Sequence, residues 1–246
     1  MNLITKLKLK FHNLLGFEKL NPINNFDFNQ TLEENYNSNN LESFKNILNT
    51  HEDLKDIIWI GIYHCLNTFD EINEFLTVLD KNNQLIADLL EGDDSSVNIP
   101  NDIKLQIENG NVLATFHNHF NGAIIPSSRD LKNTILPFLK FMVITSKENI
   151  GIVVNSNEKM DETFKKSLRQ EWLFYLAYIN WSFNNNMSNE IQQVYDKNLT
   201  KIEKQKQEQI LFDNYICLNL HKFINEFNIR MKKYNVYFLQ IIIKGW

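Results

Sequence analysis

Phe116-His117-Asn118-His119-Phe120-Asn121-Gly122-Ala123-Ile124-Ile125-Pro126-Ser127-Ser128-Arg129-Asp130 is the stretch on which the reading of this chain turns. Val112 to Phe116 is apolar and β-prone, so it predicts a strand that delivers the chain into the histidines. In an extended segment side chains two apart lie on the same side, and His117 and His119 can therefore present imidazole nitrogens to one ion. Gly122 and Pro126 predict a bent loop. Ser127 has the position of a helix N-cap, with the helix running through Leu131, Ile135 and Leu136. Asp130 then falls in the first turn and can return a carboxylate to the same point. Two nitrogens and one oxygen leave the fourth tetrahedral position open, which is the donor set of a catalytic rather than a structural zinc site.

The pattern His-x-His, seven residues, Ser-x-x-Asp, filled here by His117, His119, Ser127 and Asp130, resembles the JAB/MPN (JAMM) zinc metalloproteases. The wording His-Asn-His-x-x-Gly-x-x-x-Pro-Ser-x-x-Asp is similar to the prokaryotic RadC-like branch and related phage domains. Phe120 stands where that family usually has proline, which removes no ligand. The resemblance covers roughly residues 56–155. It implies an α/β (α+β) fold of the JAB/MPN, cytidine-deaminase-like kind, a mixed sheet flanked by helices. It also implies Zn2+ held by His117, His119 and Asp130, with Ser127 donating to the oxyanion on the attacked carbonyl. A zinc ion acidifies water and polarises a carbonyl, but a carboxylate must carry the proton to the leaving amine. Glu71, Glu74 and Glu91 are the candidates for the upstream acid of the family, and Glu74 is chosen because related domains place it at the entry of the strand before a hairpin.

Taken separately, the two halves of the motif have bland explanations. Histidines in a polar loop are commonly surface residues, and Ser-x-x-Asp before an apolar helix is commonly a cap. Their joint occurrence between a predicted strand and a predicted helix favours a metal site. His12, His51, His64 and His221 have no partner at ligand spacing and are expected to be structural or exposed. No Gly-x-Ser-x-Gly elbow surrounds Ser127, so it is not expected to be a covalent nucleophile.

Outward from the motif, strands and helices interleave. Ile57 to Tyr63 is a β-branched and aromatic run read as a buried strand. Phe75 to Leu79 and Gln84 to Leu90 predict a hairpin about Asp80-Lys81-Asn82-Asn83. Pro100 to Glu108 predicts a short helix stopped by Asn109-Gly110, and Phe141 to Ile144 with Ile150 to Val154 predicts a second hairpin. Three regions follow: 1–54, a helical or loosely structured extension with a short helix over 41–48; 55–156, the metalloprotease-like domain; and 157–246, a helical C-terminal region. In that last region Phe164, Leu168, Trp172, Leu176 and Ile179 share a face. A long helical segment extends from Ile191 to about Lys233, and residues 234–243 form an edge strand or tuck against the core.

The chain has 246 residues, ample for a buried core, and a formal charge of −5. That balance disfavours nucleic acid as the partner, because no global basic field exists to neutralise phosphates. The charged run 201–209 is read as a solvated helix face. Cys65 and Cys217 have no CxxC spacing, so neither a thiolate zinc site nor a disulfide framework is indicated and a cytoplasmic location is expected. Residues 1–17 mix lysines with apolar positions on one helix face, unlike an export signal, and no stretch reaches the ~20 apolar residues of a membrane span. The expected function is a zinc-dependent metalloprotease or isopeptidase acting on a protein or peptide, with the C-terminal helices serving a partner, substrate or self-association. A non-catalytic JAB/MPN scaffold and a RadC-like nucleic-acid-associated protein are the alternatives. Retention of every ligand disfavours the first, and the acidic balance disfavours the second.

Overall fold

The structure is a computed structural model that describes residues 51–242 apart from 52, 69–70, 72, 94–96, 120–122, 135–138, 147–148 and 158–159. The expectations for the first 50 residues, for Phe120 and Gly122, and for Ile135 and Leu136 fall outside the described residues.

Seven α-helices and six strands are present among the described residues: α1 (Leu54–Thr68), β1 (Phe75–Asp80), β2 (Leu85–Glu91), α2 (Asn101–Glu108), β3 (Val112–Asn118), α3 (Ser128–Thr134), β4 (Phe141–Thr145), β5 (Asn149–Asn155), α4 (Glu162–Asn186), α5 (Ser188–Asp196), α6 (Lys201–Leu218), α7 (Leu220–Met231) and β6 (Val236–Ile242). The strands form one mixed sheet in the order β2-β1-β3-β4-β5-β6. Only β3 and β4 run parallel, because α3 carries the chain across between them; the other neighbours are antiparallel. The chain is thus a mixed α/β protein.

Alternation along the strands assigns the two faces. Phe141 and Val143 of β4 and Ile150, Ile152 and Val154 of β5 pack in one cluster with Ile57, Ile58 and Ile60 of α1. Met142, Ile144 and Val153, one residue out of phase, pack in another with Trp172 and Tyr175 of α4 and Phe223 and Phe227 of α7. A fully buried aromatic of this size is worth ~1.5–3 kcal/mol each, so both layers are strongly held. A smaller cluster joins Ile103 and Ile107 of α2 to Leu76, Val78 and Val112.

The predicted strand over 57–63 is a helix. Eleven of the fifteen residues of α1 are buried, so its apolar residues form a continuous run in which the helical period disappears. A short apolar run of that kind does not separate a buried strand from a buried helix. Gly61 permits the close seating of α1 on the sheet, since a Cβ there would stand 3.3 Å from Val143 Cγ1.

Both hairpins and the helix over 101–108 stand as expected, and Gly110 adopts φ 67° just past α2, a conformation that glycine takes without steric cost. The long helical segment after Ile191 is broken into α5, α6 and α7. Thr200 caps α6 by accepting from the Glu203 N–H while the Glu203 carboxylate accepts from the Thr200 N–H, a Ser/Thr-x-x-Glu start that forces a new helix. The final segment pairs along the full length of β5, from Asn149 with Ile242 to Asn155 with Val236.

Candidate metal centre

β3 and β4 lie side by side, and the chain leaves the C-terminal end of β3 as His117-Asn118-His119. Strand alternation turns His117 away from the α1 face, on which Phe116 sits, toward the face covered by α4 and α7. His119 is one residue past the strand, and its N–H donates to Thr145 O of β4 at 2.8 Å. Its Nδ1 lies 2.5 Å from Ala123 O. A carbonyl only accepts, so Nδ1 bears the proton and the Nε2 lone pair is left facing His117.

His117 Nε2 is 3.2 Å from His119 Nε2 and 3.2 Å from Asp130 Oδ1. Asp130, buried at the start of α3, is aimed by its other oxygen, which accepts from the Ser127 N–H at 2.6 Å. Ser127 Oγ in turn accepts from the backbone N–H groups of Arg129 and Asp130 at 3.2 and 3.3 Å. Ser127 is therefore the expected cap, and reciprocal bonding with Asp130 makes the first turn of α3 rigid.

The three donor atoms lie within 4.8 Å of one another. Zinc bonds of about 2.0–2.2 Å to nitrogen and oxygen give tetrahedron edges of about 3.3–3.6 Å, near the 3.2 Å that separates His117 Nε2 from His119 Nε2 and from Asp130 Oδ1. A single N–H on His117 Nε2 does not serve His119 and Asp130 well at once, so the set fits a cation better than it fits mutual hydrogen bonding. Among the described residues these three form the one group of this kind.

The same convergence shifts the titration of each group. Burial disfavours the charged form of His117, yet the adjacent Asp130 carboxylate, its hydrogen bond and Glu74 together raise the pKa. His119 is lowered, first by burial and then by His117. Burial pushes Asp130 upward, but His117 and His119 hold it well below the usual carboxylate range. Glu74 is raised, chiefly by burial and further by Asp130 and Asp93, against the pull of His117 and Arg129.

Glu74 precedes β1 and lines one cavity of about 390 Å3 with His117, His119, Ser127 and Asp130. Glu91 ends β2, where its Oε1 accepts from Asn73 Nδ2 at 2.9 Å; neither it nor Glu71 lines this cavity. Of the three acids considered from sequence, Glu74 is the one brought to the ligands.

Two residues support the site: Asn118 escaped the sequence reading, and His64, expected to be structural or exposed, is structural. Asn118, between the histidines and facing the other way, accepts from the Phe75 N–H through Oδ1 and donates to Asn73 O through Nδ2 at 2.9 Å. It ties the histidine strand to the residues on either side of Glu74. His64 of α1 is fully buried, with Nδ1 2.9 Å from Thr145 Oγ1 and Nε2 3.2 Å from Phe75 O. Period two in an extended His-Asn-His is a signal that could have placed Asn118; His64 lies on another element and carries no such signal. Arg129 also lines the cavity. Compared with known protein families, with curated proteins and with solved structures, the chain has no match.

Proposed function

We propose that the protein is a zinc-dependent amide hydrolase of the JAB/MPN type, a metalloprotease or isopeptidase acting on a protein or peptide. One observation carries the reading: two imidazole nitrogens and a carboxylate oxygen converge within 4.8 Å of one another in a cavity that also holds a half-buried carboxylate, Glu74. The sequence motif that resembles this family falls on those same residues.

Bound zinc would supply Lewis acidity, polarising an amide carbonyl and acidifying water. The other roles belong to the chain. His117, His119 and Asp130 would hold the ion, and two of them are already aimed, His119 by Ala123 O and Asp130 by the Ser127 N–H. Glu74, a half-buried carboxylate in the same cavity, takes the proton from water and returns it to the leaving amine. Ser127 Oγ accepts two backbone N–H bonds and has its own proton to donate to an oxygen that gains charge in the cavity.

Metal content and turnover test separate parts of this reading. Purified full-length chain is expected to hold one zinc, and His117→Ala or His119→Ala to lose most of it, because two protein donors are too few to retain the ion. Full occupancy in both variants, read by elemental analysis, would refute the centre. Glu74→Gln should keep its zinc and lose at least ~100-fold in cleavage of whichever peptide or isopeptide substrate a panel reveals; unaltered turnover would remove Glu74 from the mechanism.

A further inference from the structure

The face of the sheet that carries His117 is covered by two helical layers. α2 packs through Ile103 and Ile107 against Leu76 and Val78 of β1, whereas α4 and α7 pack against Met142, Ile144 and Val153 of β4 and β5. Strand register places an apolar floor beside the metal donors. Leu76 pairs with His117, and Thr115, two residues back along β3, pairs with Met142 of β4. Paired residues share a face, so Leu76, Thr115 and Met142 lie on the same side of the sheet as His117. They line the cavity of about 390 Å3 that holds the donors, together with Ile107 and with Val97 and Ile99, half-buried in the segment before α2. The cavity thus has a donor half and an apolar half. A second cavity, of about 560 Å3, shares Glu74, His119, Ser127 and Ser128 with the first and extends to Leu176 and Ile179 of α4 and Phe212 and Ile216 of α6.

Resting on the hydrolase reading, we propose that the apolar half of the first cavity is a pocket for a large aliphatic or aromatic side chain adjoining the scissile amide, with Ile99 as a specificity-determining residue on its wall. Continuity fixes the occupant: floor and donors line one cavity, so a group seated on the floor belongs to the molecule whose amide stands at the donors. The scale agrees. Two strand residues separate Thr115 from His117 by about 6.6–6.8 Å, and a Leu or Phe side chain reaches roughly 5 Å from its own carbonyl carbon, far enough to touch the floor. Leu76, Ile107 and Met142 are buried, and an apolar side chain laid on them gains by leaving water. A glycine would leave the floor wet and gain nothing there. The second cavity leaves room at the donors for the rest of the peptide.

The test measures binding, so that it does not depend on turnover. Fluorescein-labelled nonapeptides identical except for Leu, Phe, Gly or Glu at the centre are titrated by fluorescence anisotropy against the zinc-loaded full chain carrying Glu74→Gln. Leu- and Phe-centred peptides should bind at least tenfold tighter than the Gly-centred one. Adding Ile99→Lys should weaken the Leu-centred peptide at least tenfold and tighten the Glu-centred one at least fivefold, a gain that misfolding does not produce. Asn180→Trp, on an exposed position of α4 that lines the second cavity, should leave the ranking of central residues intact. Zinc content should stay at one per chain in both variants. Equal binding of Leu- and Gly-centred peptides, or a ranking that Ile99→Lys leaves unchanged at full zinc, overturns the pocket while the hydrolase reading stands. A ranking altered by Asn180→Trp instead moves the side chain to the second cavity, and tightest binding of the Glu-centred peptide by the chain with Ile99 intact assigns the cavity to Arg129, which also lines it; either result overturns the proposal. Absence of zinc from the unsubstituted chain defeats the hydrolase reading itself.

Discussion

His64 shows what a single residue contributes behind the site. Both of its nitrogens have oxygen partners, and burial, aided by the nearby His117, lowers its pKa to about 3. In the unfolded chain the imidazole returns to about 6.5. Between those values the unfolded state binds the extra proton, so His64 stabilises fully above about 6.5 and loses that contribution progressively as the pH falls toward 3. From pH 7 to pH 4 the loss amounts to on the order of 3 kcal/mol. Urea unfolding in the presence of a chelator should show this acid destabilisation, and His64→Gln should flatten it while lowering stability at pH 7. An unchanged pH slope in that variant would show that His64 does not titrate as its burial requires. His51 is also lowered, by burial and by Lys140, and acts in the same direction. His117 acts oppositely in the metal-free chain, since its raised pKa favours folding in acid.

At the scale of elements, the end of β3 is where the candidate metal donors and the Glu74 carboxylate are brought to one cavity. Leu76 pairs with His117 across the sheet, and Asn118 reaches from β3 to Asn73 and Phe75, so the backbone around Glu74 is held from the histidine strand. Asn118 is 3% exposed. Asn118→Ala should therefore cost ~1–3 kcal/mol through loss of buried hydrogen bonds, and it should lower turnover at least ~10-fold with zinc retained, because the residues on either side of Glu74 are no longer tied to the histidine strand. Urea unfolding and metal content of the same preparation check both halves. Normal turnover at full zinc would mean that the tether does not set the position of the carboxylate.

Over the whole molecule, the region after residue 156 cannot be regarded as an attachment. α4 and α7 cover Met142, Ile144 and Val153, and β6 completes the sheet beside β5. Trp172 is fully buried in that layer, edge-on to Phe227 at 5.2 Å. A chain ending at residue 155 would bare Met142, Ile144 and Val153 on the face that α4 and α7 cover and leave β5 as an unpaired edge, a template for aggregation. Such a chain is expected to be insoluble or to lack a cooperative unfolding transition by circular dichroism. A soluble fragment with native-like unfolding and one bound zinc would show that the sheet stands without its C-terminal layer.

The His-x-His strand, the Ser127 cap and Asp130 in the first helical turn were legible in the sequence because each depends on local geometry: period two in a strand, side-chain capping, and one turn of helix. The two hairpins and the helix after Pro100 were legible for the same reason. The run over 57–63 was not, because a helix buried nearly all round loses the periodicity that distinguishes it. Nor did local pattern separate Glu74 from Glu71 and Glu91; what brings Glu74 to the histidines is cross-strand pairing and the Asn118 tether, contacts 43 to 45 residues apart along the chain. The joining of β6 to β5 and the closing of the second cavity by α4 and α6 were likewise decided by tertiary structure. They depend on surfaces distant in sequence burying apolar area against each other, which no local spacing records.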